Sequence, residues 1–419
     1  MTDTRWSRRQ WMKLACAAAP AALGGIQIAR AQVPAYGAAP PARLVVVFLR
    51  GAMDGLSLVA PYGDSAYYHE RSSIAIARPG EADGLLPLTS LFGLHPGAAP
   101  LLPFWDRKQL AFIHASGSPD PTRSHFDAQD YMESATPGRK ATPDGWLNRL
   151  AGVLAGASTA PAAQRLQALN LGPTMPRIFS GSAAVASLAS GNAATARTGL
   201  DRPELAAAFG QLYAGDDRLS QAVREATATR REIMDTLASD DPKADQGALS
   251  LAGLSRDTAR LGQLMARDSR IRLAFIPVGG WDTHANQGAG RGQLANRFSL
   301  LAQALEALVK GLDERFNETS ILVLSEFGRT VRQNGTQGTD HGHGNVAWVM
   351  GGGVNGGKVY GPWPGLEPAS LYEGRDLAVT TDFRDIVADL LEQRFKLNDR
   401  QLAQVLPGMA RRSRVGLMA

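Results

Sequence analysis

Short, continuous apolar runs recur along the chain and alternate with segments that have helical spacing. The first run is Leu44 to Leu49, and similar runs follow at 110–114, 271–278, 321–324 and 346–350. Apolar runs without polar alternation predict strands that are buried on both faces, as in a parallel sheet. Strands that alternate with helices predict an α/β fold with a doubly wound, mostly parallel sheet flanked by helices.

The helical pattern is clearest between the third and fourth runs. Apolar residues there are separated alternately by four and three positions, which places on one helix face Leu294, Phe298, Leu301, Leu305, Leu308 and Leu312. A charge-laced helical pattern at 201–268 interrupts the alternation and predicts a helical insertion. Residues 180–199 are rich in Ala, Ser and Gly, and this composition predicts a loop before the insertion.

The first 31 residues resemble an export signal. Arg8, Arg9 and Lys13 precede an uncharged stretch at 14–28, and Ala-Arg-Ala at 29–31 has the form of a cleavage site. The uncharged stretch is shorter than the roughly 20 residues that a membrane-spanning helix needs. The pattern predicts a twin-arginine signal peptide at 1–31, followed by a linker at 32–42 and one α/β domain at 43–419.

The excess of basic residues is concentrated at the start of the chain. The chain has 44 Lys and Arg against 39 Asp and Glu, but residues 1–31 carry +4 of the formal charge of +5. The remaining domain is nearly neutral, so nothing in its charge favours binding to nucleic acid. The one cysteine, Cys16, lies in the signal, which excludes a disulfide framework and a thiolate zinc site in the domain. We expect a periplasmic or secreted protein that meets the twin-arginine translocase and has no stable membrane anchor.

Acidic and imidazole groups cluster at the ends of the predicted strands. Open α/β sheets bind ligands at the carboxyl ends of their strands. The groups near this edge are Asp54, Asp282, His284, Glu326, Asp340, His341 and His343. Carboxylate with neutral imidazole is a ligand set for Zn or Mn rather than for Mg or Ca, so the pattern predicts divalent metal ions in unspecified number. Each residue alone also fits a turn, a salt-bridged strand end or a helix cap.

A hydroxyl group and three arginines complete the candidate chemistry. Ser124 lies at a predicted helix start after the second apolar run, where the positive helix end favours an alkoxide or a bound anion, and Thr122 is a second choice. Simple N-capping is the alternative use of a serine at this position. Arg50, Arg123 and Arg329 are candidates for gripping a phosphate or sulfate group, although arginines on a surface have the same appearance in a sequence.

Together these motifs resemble the bacterial domain-of-unknown-function family 1501, which is grouped with the alkaline phosphatase and sulfatase superfamily. The resemblance covers about residues 43–395. Besides the twin-arginine signal, the motifs are Leu-Arg-Gly-Ala-Met-Asp-Gly-Leu-Ser at 49–57, Pro-Thr-Arg-Ser-His-Phe-Asp at 121–127, Gly-Gly-Trp-Asp-Thr-His at 279–284, Ser-Glu-Phe-Gly-Arg-Thr at 325–330 and Asp-His-Gly-His-Gly at 340–344. The resemblance implies an alkaline phosphatase-like α/β fold.

The resemblance also implies roles for individual residues. Ser124 matches a nucleophile at the start of a helix. The implied metal ligands are Asp54 for one metal, Asp282 and His284 for the other, and Glu326, His341 and His343 as a final set. The chain departs from the superfamily pattern because Glu326 replaces the usual Asp, no His follows it directly, and Ser124 lacks the Cys-x-Pro-x-Arg context of sulfatases.

Three hypotheses about function follow. The first is an exported metal-dependent hydrolase that cleaves a phosphate or sulfate ester of a small molecule or glycan, with Ser124 as nucleophile and Arg329 as a second catalytic residue. Arg50 and Arg123 then bind the substrate. The second is a non-catalytic periplasmic binding or assembly protein on the same fold. The third is a mutase or transferase that passes the phosphoryl group to another alcohol.

Overall fold

The computed structural model describes residues 41–140, 142–157, 167–172, 174–191, 211–215, 217, 220, 251–410 and 414–419. The signal peptide predicted at 1–31 and nearly all of the linker at 32–42 lie outside these residues. Within the described part of the chain, no helix is both long enough and apolar enough to cross a membrane.

The predicted apolar runs all form strands. The described strands are β1 (Arg43–Leu49), β2 (Val59–Ala60), β3 (Leu86–Pro87), β4 (Gly93–Leu94), β5 (Leu110–Gly117), β6 (Gln167–Leu171), β7 (Val185–Leu188), β8 (Ile271–Val278), β9 (Thr319–Ser325), β10 (Asn345–Gly351), β11 (Lys358–Tyr360) and β12 (Thr381–Asp382). The described α-helices are α1 (Gly55–Leu58), α2 (Ser65–Glu70), α3 (Leu102–Asp106), α4 (His125–Ser134), α5 (Trp146–Gly156), α6 (Leu251–Arg267), α7 (Gln293–Leu312), α8 (Phe383–Phe395) and α9 (Asp399–Val405). Short 3-10 helices lie at Pro96–Leu101, Arg177–Phe179, Asp313–Glu318 and Pro368–Ser370.

A mixed, mostly parallel sheet forms the centre of the fold. Among the described residues its strand order is β11-β5-β10-β9-β1-β8-β6-β7, and β12 also pairs with β5. Strand β1 is parallel to both β8 and β9, whereas β10 is antiparallel to β5 and β9. Because β10 runs the other way, the residues that precede it lie at the edge where β1, β5, β8 and β9 end. The predicted fold class, a mostly parallel sheet flanked by helices, is confirmed.

Helices cover both faces of this sheet. Val45 and Val47 of β1 pack in a core cluster with α6 and α7, whereas Leu44 and Val46 pack in a second cluster with α5 and α8. The apolar face predicted for α7 is buried in the first cluster. Alternate side chains of β1 are therefore buried on opposite faces, which explains why its sequence is continuously apolar.

Two predictions about the middle of the chain have mixed outcomes. The helical insertion predicted at 201–268 lies mostly outside the described residues, and its last part is α6, which packs against α7 in the core. The loop predicted at 180–199 is wrong at 185–188, where β7 pairs in parallel with β6. Polar residues interrupt the five residues of β6, and β7 is a short, partly exposed strand, so neither has a recognisable apolar run.

Two histidines are structural parts of the core. His95 accepts a hydrogen bond from the Gly97 N–H and donates one to the Ala289 carbonyl, both at 2.9 Å. His114 lies between Phe92 and a tryptophan, and its Nε2 donates to a backbone carbonyl at 2.9 Å. Burial lowers the pKa of both imidazoles to about 4. Both rings are therefore neutral in the folded protein at neutral pH.

This burial predicts sensitivity to acid. Below the ordinary histidine pKa of 6.5, protons bind these rings more readily in the unfolded chain than in the folded one. The contribution of these neutral rings to the free energy of unfolding is therefore fully present above pH 6.5. We expect the free energy of unfolding to fall by roughly 3 kcal/mol for each ring as the pH drops to 4. Urea unfolding at a series of pH values measures this loss. His114→Gln is expected to remove one such contribution of roughly 3 kcal/mol, and an unchanged pH profile in that variant contradicts the assignment.

Candidate metal centre

The candidate centre lies at the edge of the sheet where β1, β5, β8 and β9 end. The loop after β8 carries Asp282 and His284, and Glu326 directly follows β9. The loop before the antiparallel β10 carries His341, and α4, the next helix after β5, begins at His125. Segments that are far apart in the sequence therefore meet at the position where open α/β sheets bind their ligands.

Three imidazoles and one carboxylate converge at this edge, and we refer to His125, Asp282, His284 and His341 as the histidine cluster. Nε2 of His341 lies 3.1 Å from Nε2 of His125 and 3.1 Å from Nε2 of His284. Oδ1 of Asp282 lies 3.0 Å from Nε2 of His284 and 3.2 Å from Nε2 of His341. The cluster therefore presents three ring nitrogens and a carboxylate oxygen to one small volume.

The other nitrogen of each ring faces an acceptor outside the cluster. Nδ1 of His125 lies 2.7 Å from Oε1 of Glu326, and Nδ1 of His284 lies 3.1 Å from Oδ1 of Asp340. Nδ1 of His341 lies 3.0 Å from the carbonyl oxygen of Arg123. Because a carboxylate and a carbonyl only accept, these contacts place the proton on Nδ1 and leave the Nε2 lone pair directed into the cluster.

This donor set fits a divalent cation. Ligand atoms of His125, Asp282 and His341 all lie within 4.8 Å of one another. With the proton on Nδ1 of both neutral rings, Nε2 of His125 and Nε2 of His341 are two acceptors 3.1 Å apart, and a shared cation satisfies both. Nitrogen ligands at the corners of a tetrahedral zinc site are separated by about 3.3 Å, which is close to the observed spacing. Imidazole and carboxylate suit zinc and similar cations.

Glu326 supports His125 from the interior. Its side chain is fully buried, and its Oε1 accepts hydrogen bonds from the Gly51 N–H at 2.8 Å and from Gln129 at 3.0 Å, as well as from His125. Burial alone raises the pKa of Glu326, but these hydrogen bonds outweigh it and hold the pKa below its usual range. In return, the hydrogen bond to Glu326 raises the pKa of His125. Glu326 therefore contacts the outer nitrogen of a candidate ligand, His125, and is not itself a member of the cluster.

Arg329 is a buried connector between loops. Its guanidinium donates to Oδ1 of Asp282 at 2.5 Å and to four carbonyl oxygens, those of Gly51, Ala52, Trp281 and Thr339. Burial raises the pKa of Asp282, but the bond and charge of Arg329 outweigh this and lower it. Arg329 is only 1% exposed, and its contacts fix the loops that carry the cluster.

Ser124, the candidate nucleophile, stands directly before His125 as the N-cap of α4. Its side chain accepts a long hydrogen bond of 3.5 Å from the Asp127 N–H, and the residue is exposed. Thr122 accepts a hydrogen bond from the Ser124 N–H at 3.3 Å. Ser124 therefore caps a helix, and it directly precedes a cluster residue in the sequence, so neither of the two uses considered for it is excluded.

The other candidate residues have partners outside the cluster. Arg50 forms an ion pair with Glu133, and Arg123 forms ion pairs with Glu373 and Asp376, each at 2.6 Å. The two further residues in this group are Asp54, which pairs with the buried Arg71, and His343, whose largely buried ring packs on Tyr372 at 4.6 Å between centroids. Within the described part of the chain, none of these four side chains forms a hydrogen bond, an ion pair or a ring contact with the cluster.

Sequence reasoning missed His125. It lies in the motif at 121–127, where the predicted helix start pointed to the preceding serine as the candidate. The signal was available in the composition, because the chain contains only seven histidines and His125 follows a predicted strand as His284 does. Gln129, one helical turn further along α4, is the second missed contributor, since it donates to Glu326.

Comparisons with known proteins identify the family. No curated protein sequence gives a significant match. The PsFucS1 sulfatase from Pseudoalteromonas sp. is 11% identical, with 90% of this chain and 73% of that chain aligned and a TM-score of 0.38. The C-terminal periplasmic domain of EcEptC from Escherichia coli in complex with Zn is 10% identical, with 75% and 73% aligned and a TM-score of 0.34. A protein in the alkaline phosphatase superfamily from Vibrio parahaemolyticus is 10% identical, with 74% and 60% aligned and a TM-score of 0.32.

The family assignment rests on sequence. A family model matches residues 111–407, which include β5, the histidine cluster and the strands that carry it. The match confirms the resemblance drawn from the motifs. The chain therefore belongs to the family described as protein of unknown function DUF1501.

Proposed function

We propose that this protein is a metal-dependent hydrolase of phosphate or sulfate esters. One observation carries the proposal: each imidazole of the histidine cluster holds its Nδ1 against an acceptor and turns its Nε2 toward the space shared with Asp282. Metal-binding histidines are held by this kind of outer contact, which fixes both the tautomer and the orientation of the ring.

His125, Asp282 and His341 are the proposed ligands, and His284 contacts two of them. When bound, a divalent cation such as Zn or Mn polarises an ester oxygen and stabilises the negative charge that develops on it. The protein's own contribution is to hold these side chains in place. Glu326 and the Arg123 carbonyl orient two of the rings, and Arg329 orients Asp282.

Ser124 is the proposed nucleophile. Its hydroxyl is exposed, weakly bonded and adjacent in sequence to a proposed ligand, and it lies at the positive end of α4. In the proposed reaction its Oγ bonds to phosphorus or sulfur while the bond from that atom to the ester oxygen breaks. The alcohol takes up one proton as the serine gives one up. Water then cleaves the serine ester and releases phosphate or sulfate.

We also propose that the protein is exported from the cytoplasm. The paired arginines Arg8 and Arg9 and the uncharged stretch after them support a twin-arginine signal and a periplasmic or secreted location. An exported hydrolase of this kind meets small-molecule or glycan esters outside the cytoplasm.

The test is hydrolysis of a panel of phosphate and sulfate esters by the purified protein, with zinc or manganese added after treatment with a chelator. We expect turnover that requires the metal and that falls by more than about 100-fold in Ser124→Asn. Asparagine is also a good N-cap, so this variant keeps α4 capped while it removes the hydroxyl. Thr122→Ala is the matched control and is expected to retain turnover.

The other outcomes separate the alternatives. Bound metal without turnover of any ester contradicts the hydrolase and favours a binding protein. Transfer of the phosphoryl group to added alcohols in place of water identifies a transferase.

A further inference from the structure

The family resemblance assigns Asp54 to a second metal, but the carboxylate of Asp54 is already fully engaged. Its Oδ2 accepts hydrogen bonds from Arg71 at 2.6 Å, from Ser57 at 2.7 Å and from Gln287 at 2.8 Å. Its Oδ1 accepts a further bond from Arg71 at 3.1 Å. The side chain is completely buried, and both of its oxygens are engaged by protein donors.

Arg71 is equally fixed. Its side chain is fully buried, and the donors that remain after Asp54 go to the carbonyl oxygens of Thr330 and Val331, each at 2.9 Å, and to the Ser57 hydroxyl at 3.1 Å. A guanidinium held by five contacts has no other arrangement in this space. A metal ion at Asp54 would stand beside this permanent positive charge in the protein interior, where like charges repel strongly.

The electrostatics of the pair agree with this geometry. Burial alone raises the pKa of Asp54, but the charge and hydrogen bonds of Arg71 outweigh it and lower the pKa. The carboxylate is therefore ionised and already neutralised without any metal.

Gln287 connects this pair to the loops that carry the cluster. Its Nε2 donates to Asp54, and its Oε1 accepts from Thr283 at 3.2 Å and from Thr339 at 3.1 Å. Thr283 lies between Asp282 and His284, and Thr339 lies two residues before His341. The three side chains are at most 1% exposed, so the bridge is shielded from water.

We propose that the Asp54–Arg71 pair takes the place of a second metal, so that the chain binds one divalent ion and Asp54 serves as a positioning residue. This inference rests on the proposed function for the identity of that one site. The buried pair anchors Gln287, and Gln287 in turn sets the positions of the two loops that supply three of the four cluster residues.

The experiment counts zinc ions per chain by elemental analysis and by calorimetric titration of the metal-free protein. We expect one ion in the unsubstituted chain, one in Asp54→Asn and none in His341→Ala. Two ions in the unsubstituted chain and one in Asp54→Asn overturn the inference and leave the proposed function standing. No bound zinc in the unsubstituted chain overturns the proposed function together with the count, so the two failures are distinguishable.

A second pair of variants tests positioning without disturbing the buried charges. Thr339→Val removes one donor to Gln287 and is expected to weaken zinc binding by up to about 10-fold, less than the loss of a direct outer contact to a ligand. Thr258→Val is the matched control, because Thr258 is a buried threonine on α6 that donates to backbone carbonyls. It is expected to lower thermal stability and to leave zinc affinity unchanged. Equal zinc affinities in the two variants overturn the positioning role.

Discussion

Replacing His341 with alanine is expected to weaken metal binding by more than about 100-fold and to remove ester hydrolysis, because the loss of a ligand exceeds the 10- to 100-fold cost of losing an outer contact. His341 has a central place in the cluster. Its Nε2 is within 3.2 Å of nitrogens or oxygens from the three other members. Competition against a chromogenic chelator measures the affinity, and initial rates with the best ester of the panel measure the hydrolysis.

His343 supplies the matched control. It lies two residues away in the same loop, and the sequence motif alone makes the two histidines equivalent candidates. Its ring packs on Tyr372 and contacts no member of the cluster in the described chain. His343→Ala is therefore expected to retain the metal and the activity. The reverse result, with metal lost in His343→Ala and kept in His341→Ala, contradicts the arrangement of the cluster.

The second large effect is expected on stability. Arg329→Met leaves four backbone carbonyls without their donor in a buried space and releases Asp282, so we expect a loss of about 3–5 kcal/mol in the free energy of unfolding. Arg329→Lys is expected to recover only part of the loss, because an ammonium group cannot span the same set of acceptors as a planar guanidinium. Urea unfolding measures both variants.

Arg332→Met is the matched control for Arg329, since Arg332 is a largely exposed arginine of the same loop paired with Glu70. It is expected to leave stability unchanged, as exposed ion pairs contribute little. If Arg329 instead gripped the substrate directly, Arg329→Met would fold as stably as the unsubstituted chain and lose only hydrolysis. That outcome would restore the catalytic role first expected for it.

The fold could be predicted where burial on both faces leaves a continuous apolar run. β1, β5, β9 and β10 have this signature, β8 has it after a single interruption at Arg272, and α7 has the spacing of a helix with one buried face. Strands β6 and β7 lack it, because Gln167 and Asn170 interrupt the first and the second is short and partly exposed. Such strands are defined by the neighbours with which they pair, and those neighbours are distant in the sequence.

The sequence could predict at which edge of the sheet the site lies, but not which side chains contact one another there. Strand ends indicated the loops of Asp282, Glu326 and His341, which the structure brings to one edge of the sheet, because strand direction decides where those loops lie. Which carboxylate faces the cluster depends on partners that no local pattern reveals. Asp54 is occupied by an arginine 17 residues further along the chain, and Glu326 lies behind a histidine 201 positions before it.

The wide sequence separation of the cluster residues has a consequence for biosynthesis. His125 is translated long before Asp282 and His341, and β10, which pairs with both β5 and β9, is made later still. A nascent chain therefore has no complete set of proposed ligands until His341 has been made. Under the proposed function, metal binding therefore follows synthesis of the His341 loop, and premature termination before β10 yields a product that lacks the strand pairing with both β5 and β9.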